Sequence, residues 1–263
     1  MDLDLKGKSV VVTGGGSNIG RGIVLGFAAE GACLTIGDID DVQGEKVAAL
    51  AREVGAGAAQ VKKADITDTV QAQALIQSAC DAYGGVDVLV NCLGWDQQMY
   101  FVQTNPEFWD KVIKLNYISA LNCTQAALNV MIPKNSGAIV SISSDASRMG
   151  EPREAVYGGI KAAVNSFMKT VAKENGRYGI RCNSVCPGVT VPDSQDDFGK
   201  ASMWARPASF TPEQMEKIKK SLPLRKVGRP SDIANAVVFL ASSAAGHITG
   251  QTLSVSGGYS MIG

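Results

Sequence analysis

Short apolar runs alternate with longer amphipathic ones from one end of the chain to the other. The runs at 9–12, 33–37, 58–62, 86–91, 137–143, 180–186 and 252–256 read as strands, most of them apolar on both faces. That is the pattern of a parallel sheet covered by helices. Between them, helical stretches are expected over 19–30, 42–54, 68–83, 106–131, 155–178 and 231–241. Thr67, Asn105 before Pro106, and Ser231 before Asp232 stand where N-caps belong. Repeated strand–helix alternation predicts right-handed crossovers and one domain over 1–263. The expected fold is a doubly wound α/β fold: a seven-stranded parallel sheet, helices on both faces, and ligands at the strands' carboxyl ends. One stretch breaks the rhythm. Residues 187–223, PGVTVPDSQDDFGKASMWARPASFTPEQMEKIKKSLP, form a long irregular insertion before the last helix. A segment of that kind reads as a lid, here over about 188–223.

Charge and composition exclude several classes. Lys and Arg number 25 against 25 Asp and Glu, so nothing points to nucleic acid or an anionic membrane. No apolar run reaches the roughly 18 residues of a membrane span. The start, MDLDLKGK, has no apolar signal core, and a cytoplasmic protein is expected. The six cysteines are scattered without a C-x-x-C and read as small buried hydrophobes of a reducing compartment. His247 is the only histidine, so no metal site is expected.

The first strand runs into TGGGSNIG, residues 13–20, and then into the helical RGIVLGFAAEGA. A strand, a glycine turn and a helix N-terminus together make an anion site, because bare N–H groups and the positive dipole end face the anion. Glycines let a pyrophosphate approach without a Cβ in the way. The strict G-x-G-x-x-G spacing fails, since Gly16 plus three is Ile19. The second strand ends in TIGDID, placing Asp38 about 20 residues on, where a carboxylate accepts hydrogen bonds from an adenosine ribose. That carboxylate repels a 2′-phosphate, and Ser17, Asn18 and Ile39 offer no cation to hold one. NAD is therefore expected over NADP, although Arg21 lies close by in sequence.

These features resemble the short-chain dehydrogenase/reductase family, and the likeness runs from Gly7 to Gly258. The family's glycine motif, TG-x-x-x-G-x-G, is matched by Thr13, Gly14 and Gly20, with Asn18 in place of the middle glycine. Asn is the non-glycine residue most at ease in the left-handed region. The resemblance implies a Rossmann domain whose cofactor site takes in Gly14, Ser17, Asn18, Ile19, Gly20 and Asp38. It also implies Asp65 and Ile66 of KADI at the adenine, and Asn91 and Gly94 of NCLG after the fourth strand. Pro187 and Gly188 match the nicotinamide-side turn. The usual threonine four residues later is Pro192, so Thr190 is expected to serve.

YGGIK supplies Tyr157 and Lys161, with Ser144 thirteen residues before the tyrosine. On a helix, i and i+4 share a face, so the ammonium is expected beside the phenol. A free phenol has a pKa of about 10, and an adjacent cation is expected to lower it. The resemblance implies that Tyr157 takes the hydroxyl proton of an alcohol as hydride leaves its carbon. It implies that Ser144 holds the substrate oxygen, that Lys161 also holds the nicotinamide ribose, and that Asn116 seats a water. On the substrate side, Trp95 and Trp204 suit an apolar or cyclic molecule. Arg148 and Arg153 suit a carboxylate or the phosphates of a coenzyme A thioester.

NCLGWD, SSDASRMGEPREAVY and GQTLSVSGGYSMIG are similar to the branch of the family that oxidises alicyclic β-hydroxyacyl-CoA thioesters. A 3-oxoacyl-carrier-protein reductase is the alternative within the family, and it would normally use NADPH. A catalytically silent NAD-binding partner is the alternative of another class. The resemblance further implies a homotetramer paired through the two long helices and the last strand.

Overall fold

Seven strands among the described residues join one sheet in the order β3-β2-β1-β4-β5-β6-β7, every pair parallel. They are β1 (Ser9–Thr13), β2 (Cys33–Asp38), β3 (Ala58–Lys63), β4 (Val88–Asn91), β5 (Gly137–Ile142), β6 (Ile180–Pro187) and β7 (Thr252–Val255). The computed structural model describes residues 2–205 and 210–262. Successive strand side chains point to opposite faces, and β1 shows the result. Val10 and Val12 pack with Ile23, Phe27 and Ile233 on one side, and Val11 packs with Leu75, Leu89 and Ile139 on the other. Burying both faces is why the strands read as unbroken apolar runs.

The helices are α1 (Asn18–Ala29), α2 (Asp41–Val54), α3 (Thr69–Tyr83), α4 (Pro106–Ile113), α5 (Ser119–Lys134), α6 (Ala146–Met149), α7 (Ala155–Asn175), α8 (Pro212–Ser221) and α9 (Pro230–Ala241). Two of the three expected caps shift. Asp68, not Thr67, caps α3 by accepting from the Gln71 N–H, and α9 starts at Pro230 after Arg229 rather than at a Ser231 cap. Asn105 caps α4 as expected, accepting from the Phe108 N–H at 2.9 Å. The single helix expected over 106–131 is two, joined by a π-helical turn at Lys114–Ile118. The stretch 187–223 is not wholly irregular, because α8 lies within it.

The chain leaves β3 for β4 across the sheet, so the strand order reverses between β1 and β4. A crevice opens at such a reversal, at the carboxyl ends of the strands. The Thr13 hydroxyl draws its two walls together by accepting from the N–H of Cys92 at 3.0 Å and of Leu93 at 3.3 Å.

Candidate active site

The glycine turn closes tightly at that crevice. A Cβ at Gly20 would fall onto the Gly14 carbonyl oxygen, so no larger residue fits there. Ser17 stands at the N-cap of α1 but makes no capping hydrogen bond, and the first turn holds no acidic residue. Those N–H groups are left for an anion, and the helix dipole favours one. Asp38 sits beside the turn, half-buried. Its Oδ2 accepts from the Gly16 N–H at 2.9 Å and its Oδ1 from the Asp40 N–H at 3.0 Å. Burial outweighs these bonds and raises its carboxyl above the usual value. The residues present fit a dinucleotide: a bare helix end for the diphosphate and a fixed carboxylate for a ribose.

Asn18 takes up the left-handed conformation that its type favours, with φ at 42°. It is buried, and its Oδ1 has no partner. Asn18→Gly is therefore expected to hold or raise the midpoint of urea unfolding, whereas Asn18→Ala should lower stability by about 1 kcal/mol. Equal midpoints for the two variants would mean that the backbone there is unstrained.

The insertion docks onto this half of the crevice. Arg21 pairs with the buried Asp197 at 3.0 Å, the Gln43 amide donates to the Asp196 carbonyl at 3.1 Å, and the Gly199 N–H donates to Ser17 Oγ at 3.3 Å. Arg21 is thereby committed to a carboxylate. Asp65 is exposed and accepts from the Thr67 N–H, while Ile66 is buried at the entry to α3. Asn91 is buried and donates to Thr124 Oγ1 at 3.0 Å and Ser141 Oγ at 3.1 Å. It staples β4 to its neighbours.

Across the crevice, Asn116 and Lys161 converge on Gly94. A Cβ at Gly94 would stand 3.2 Å from Asn116 Oδ1 and 3.3 Å from Lys161 Nζ. The π-helical turn presents Asn116 there. Its Oδ1 accepts from the Trp95 N–H at 3.1 Å, and its Nδ2 donates to the carbonyls of Trp95 at 2.7 Å and Val112 at 2.9 Å. One amide hydrogen is thus spent on the loop and the other on the preceding turn of α4, which leaves only a lone pair on Oδ1 for a water. Lys161 is buried, donates to the Ile142 carbonyl at 3.0 Å and lies 5.5 Å from the centre of the Tyr157 ring. Burial pulls its ammonium down to about 8. At the end of β6, next to Pro187, Gly188 donates to the Val255 carbonyl at 3.2 Å. The buried Thr190 hydroxyl donates to the Gly188 carbonyl at 3.1 Å.

Ser144 lies at the end of β5 beside Tyr157, and its hydroxyl draws the phenol pKa down. The net direction is nonetheless opposite to the sequence expectation. Burial first, then the carboxylates of Glu154 and Asp96, push the Tyr157 phenol above its ordinary value. Lys161, itself buried and donating to the Ile142 carbonyl, does not bring the phenol back below its ordinary value.

A shallow, partly open cleft abuts Tyr157, lined by Asp96, Met99, Phe101, Phe108, Arg153 and Glu154 among others. Of the expected substrate residues only Arg153 lines it. Trp95 packs instead on α4, against the Phe108 ring at 5.9 Å and under Lys111 at 4.0 Å. Arg148 acts on Asp145, and Trp204 sits in the turn Met203–Ala205. Asp96 and Glu154 escaped the sequence reading, although Asp96 follows Gly94 by two residues and Glu154 precedes Tyr157 by three.

A family model described as Enoyl-(Acyl carrier protein) reductase matches residues 14–260. The chain is 35% identical to a 3alpha-hydroxysteroid dehydrogenase of Mediterraneibacter gnavus, covering 98% of both proteins. It is 34% identical to a 3-oxoacyl-[acyl-carrier-protein] reductase of Staphylococcus aureus, over 97% of this chain and 98% of the relative. With a (3R)-3-hydroxyacyl-CoA dehydrogenase of Rattus norvegicus it shares 33% identity over 98% of each.

Proposed function

The chain belongs to the short-chain dehydrogenase/reductase family, and from that premise we propose that it oxidises a ring-bearing secondary alcohol to the ketone, reversibly, with NAD. Membership makes it an oxidoreductase acting between hydroxyl and oxo groups with a nicotinamide cofactor. Our reading of the substrate is a cyclic or aromatic-ring-bearing β-hydroxyacyl-CoA from the breakdown of aromatic or alicyclic acids. The observation that carries it is the meeting of Ser144, Tyr157 and Lys161 beside a cleft whose walls include Met99, Phe101 and Phe108. Those apolar side chains suit a ring, and the phenol marks where its carbinol would lie.

In this reading Gly14, Ser17, Asn18, Ile19 and Gly20 receive the diphosphate, Asp38 a ribose, Asp65 and Ile66 the adenine. Asn91, Gly94, Lys161, Pro187, Gly188 and Thr190 receive the nicotinamide half. The cofactor, when bound, supplies the hydride acceptor. Ser144 orients the substrate oxygen. Tyr157 acts as the phenolate, which the neighbouring Lys161 ammonium stabilises; on taking the alcohol's proton it becomes the neutral phenol. Asn116 fixes the Trp95 backbone, and with it the loop that carries Asp96.

Two observations support NAD over NADP. Asp38 is fixed by two backbone N–H groups beside the turn, and Arg21 is committed to Asp197. Asp38→Asn is expected to narrow the preference for NAD, as a ratio of kcat/KM values, by about tenfold. An unchanged ratio would remove Asp38 from that role.

A second reading, reduction of a 3-oxoacyl carrier protein, is favoured by the family model's description and by the S. aureus relative. Absorbance at 340 nm separates the two. Our reading requires NADH to form from NAD with a cyclic β-hydroxyacyl-CoA. The alternative requires NADPH consumption with a 3-oxoacyl carrier protein and little NAD-linked oxidation. We also propose a homotetramer, supported by the exposed Leu253, Tyr259, Met261 and Ile262 at and beyond β7. No helix among the described residues is long and apolar enough to cross a membrane.

A further inference from the structure

Two carboxylates share the cavity with Tyr157. Asp96 arrives from the loop after β4, and Glu154 immediately precedes α7. Both are held in place. Asn116 clamps the backbone of Trp95, next to Asp96, and the Gln98 amide donates to Glu154 Oε1 at 2.9 Å. Both are half-buried, and neither forms an ion pair among the described residues.

The positive charges around them only partly offset the pair. Lys161 donates to the Ile142 carbonyl, and its pull on Asp96 is outweighed by burial and by the Glu154 charge. The Arg153 guanidinium is stacked 5.9 Å from the Tyr100 ring, and the Lys111 ammonium sits over the Trp95 ring. Glu151, which accepts from the Tyr259 hydroxyl, adds a further negative charge near Glu154. The cleft beside the reacting oxygen is thus lined by two carboxylates and a single guanidinium, that of Arg153. Burial, with the Glu154 charge second, pushes Asp96 up to about 7, and Glu154 is raised as well.

Resting on the proposed oxidation at Tyr157, we infer that Asp96 and Glu154 determine specificity by excluding substrates with a free carboxylate beside the carbinol and admitting the neutral thioester or ester. A carboxylate placed here would meet like charge in a partly desolvated cavity, which is strongly disfavoured. A thioester carbonyl carries no charge and can accept a hydrogen bond from Asp96 in its acid form. The pair thus distinguishes an acyl-CoA from the free acid at the acyl group itself, without touching the coenzyme. Specificity by repulsion needs no tight contact to the accepted substrate.

The test compares a 2-hydroxycyclohexanecarboxylate with its methyl ester, with NAD saturating, for the wild type, Asp96→Asn, Glu154→Gln and the double variant. In the wild type at pH 8, kcat/KM is expected to favour the ester by about 100-fold. The double variant should cut that ratio at least tenfold, through a gain for the acid. In the wild type the ratio should also shrink from pH 8 to pH 6 as the pair takes up a proton, and it should be flat in the double variant. An unchanged ratio in the double variant, or a wild-type ratio independent of pH, overturns the inference. Calorimetric binding of ester and acid keeps this inference separate from the proposed reaction. Loss of the ester preference in the variants without turnover of either compound would retain the exclusion and remove the oxidation.

Discussion

Tyr157→Phe is expected to lower kcat for alcohol oxidation by about 10³-fold while the dissociation constant for NADH stays within about twofold. The variant removes one oxygen from a ring that otherwise stays packed. The N-terminus of α1 and Asp38, which are read as the dinucleotide site, lie on other elements. Proton removal then falls to water. Steady-state kinetics with NADH fluorescence titration would read both quantities. A variant that keeps a tenth of the activity would mean that another group takes the proton.

Lys161→Met is expected to lower kcat/KM by at least about 100-fold without lowering the thermal midpoint. The activity falls because the cation that holds the phenolate is gone. Stability behaves differently because the ammonium is buried at a cost. Its folded pKa, about 8, lies below the ordinary 10.5. Between those values the unfolded chain binds more protons than the folded one, so wild-type stability should rise with pH from about 8 to 10.5. Below that window the folded protein carries the full penalty, and methionine relieves it. The bond to Ile142 is lost as well, which offsets part of the gain. Differential scanning calorimetry of both proteins at pH 7 and 10 would show the gap closing as the lysine loses its charge. A large drop in midpoint at pH 7 would show that Lys161 stabilises the fold.

The sheet was legible because each strand is apolar on both faces, a pattern that solvent-facing strands do not give. Asn105 was legible because Pro106 follows it, as proline suits the first helical turn. The break at Lys114–Ile118 was not, since KLNYI contains neither glycine nor proline and a π-turn adds one residue without disturbing apolar spacing much. Thr67 and Ser231 were misplaced by neighbours: Asp68 is as good a cap as threonine, and Pro230 sets the start of α9.

The spacing of Tyr157 and Lys161 told which side chains share a face. It said nothing of what surrounds them. The phenol pKa is set by burial and by two carboxylates from separate loops, and only tertiary structure brings those together. The Arg21–Asp197 pair and the clamp of Asn116 on Trp95 join distant segments in the same way.

The most direct test is the first-turnover rate of NADH formation when wild type and Tyr157→Phe are mixed with NAD and a cyclic β-hydroxyacyl thioester. The account predicts rapid formation in the wild type and a rate lower by about three orders of magnitude in the variant. Equal rates, or none in a wild type that binds NADH, would contradict it.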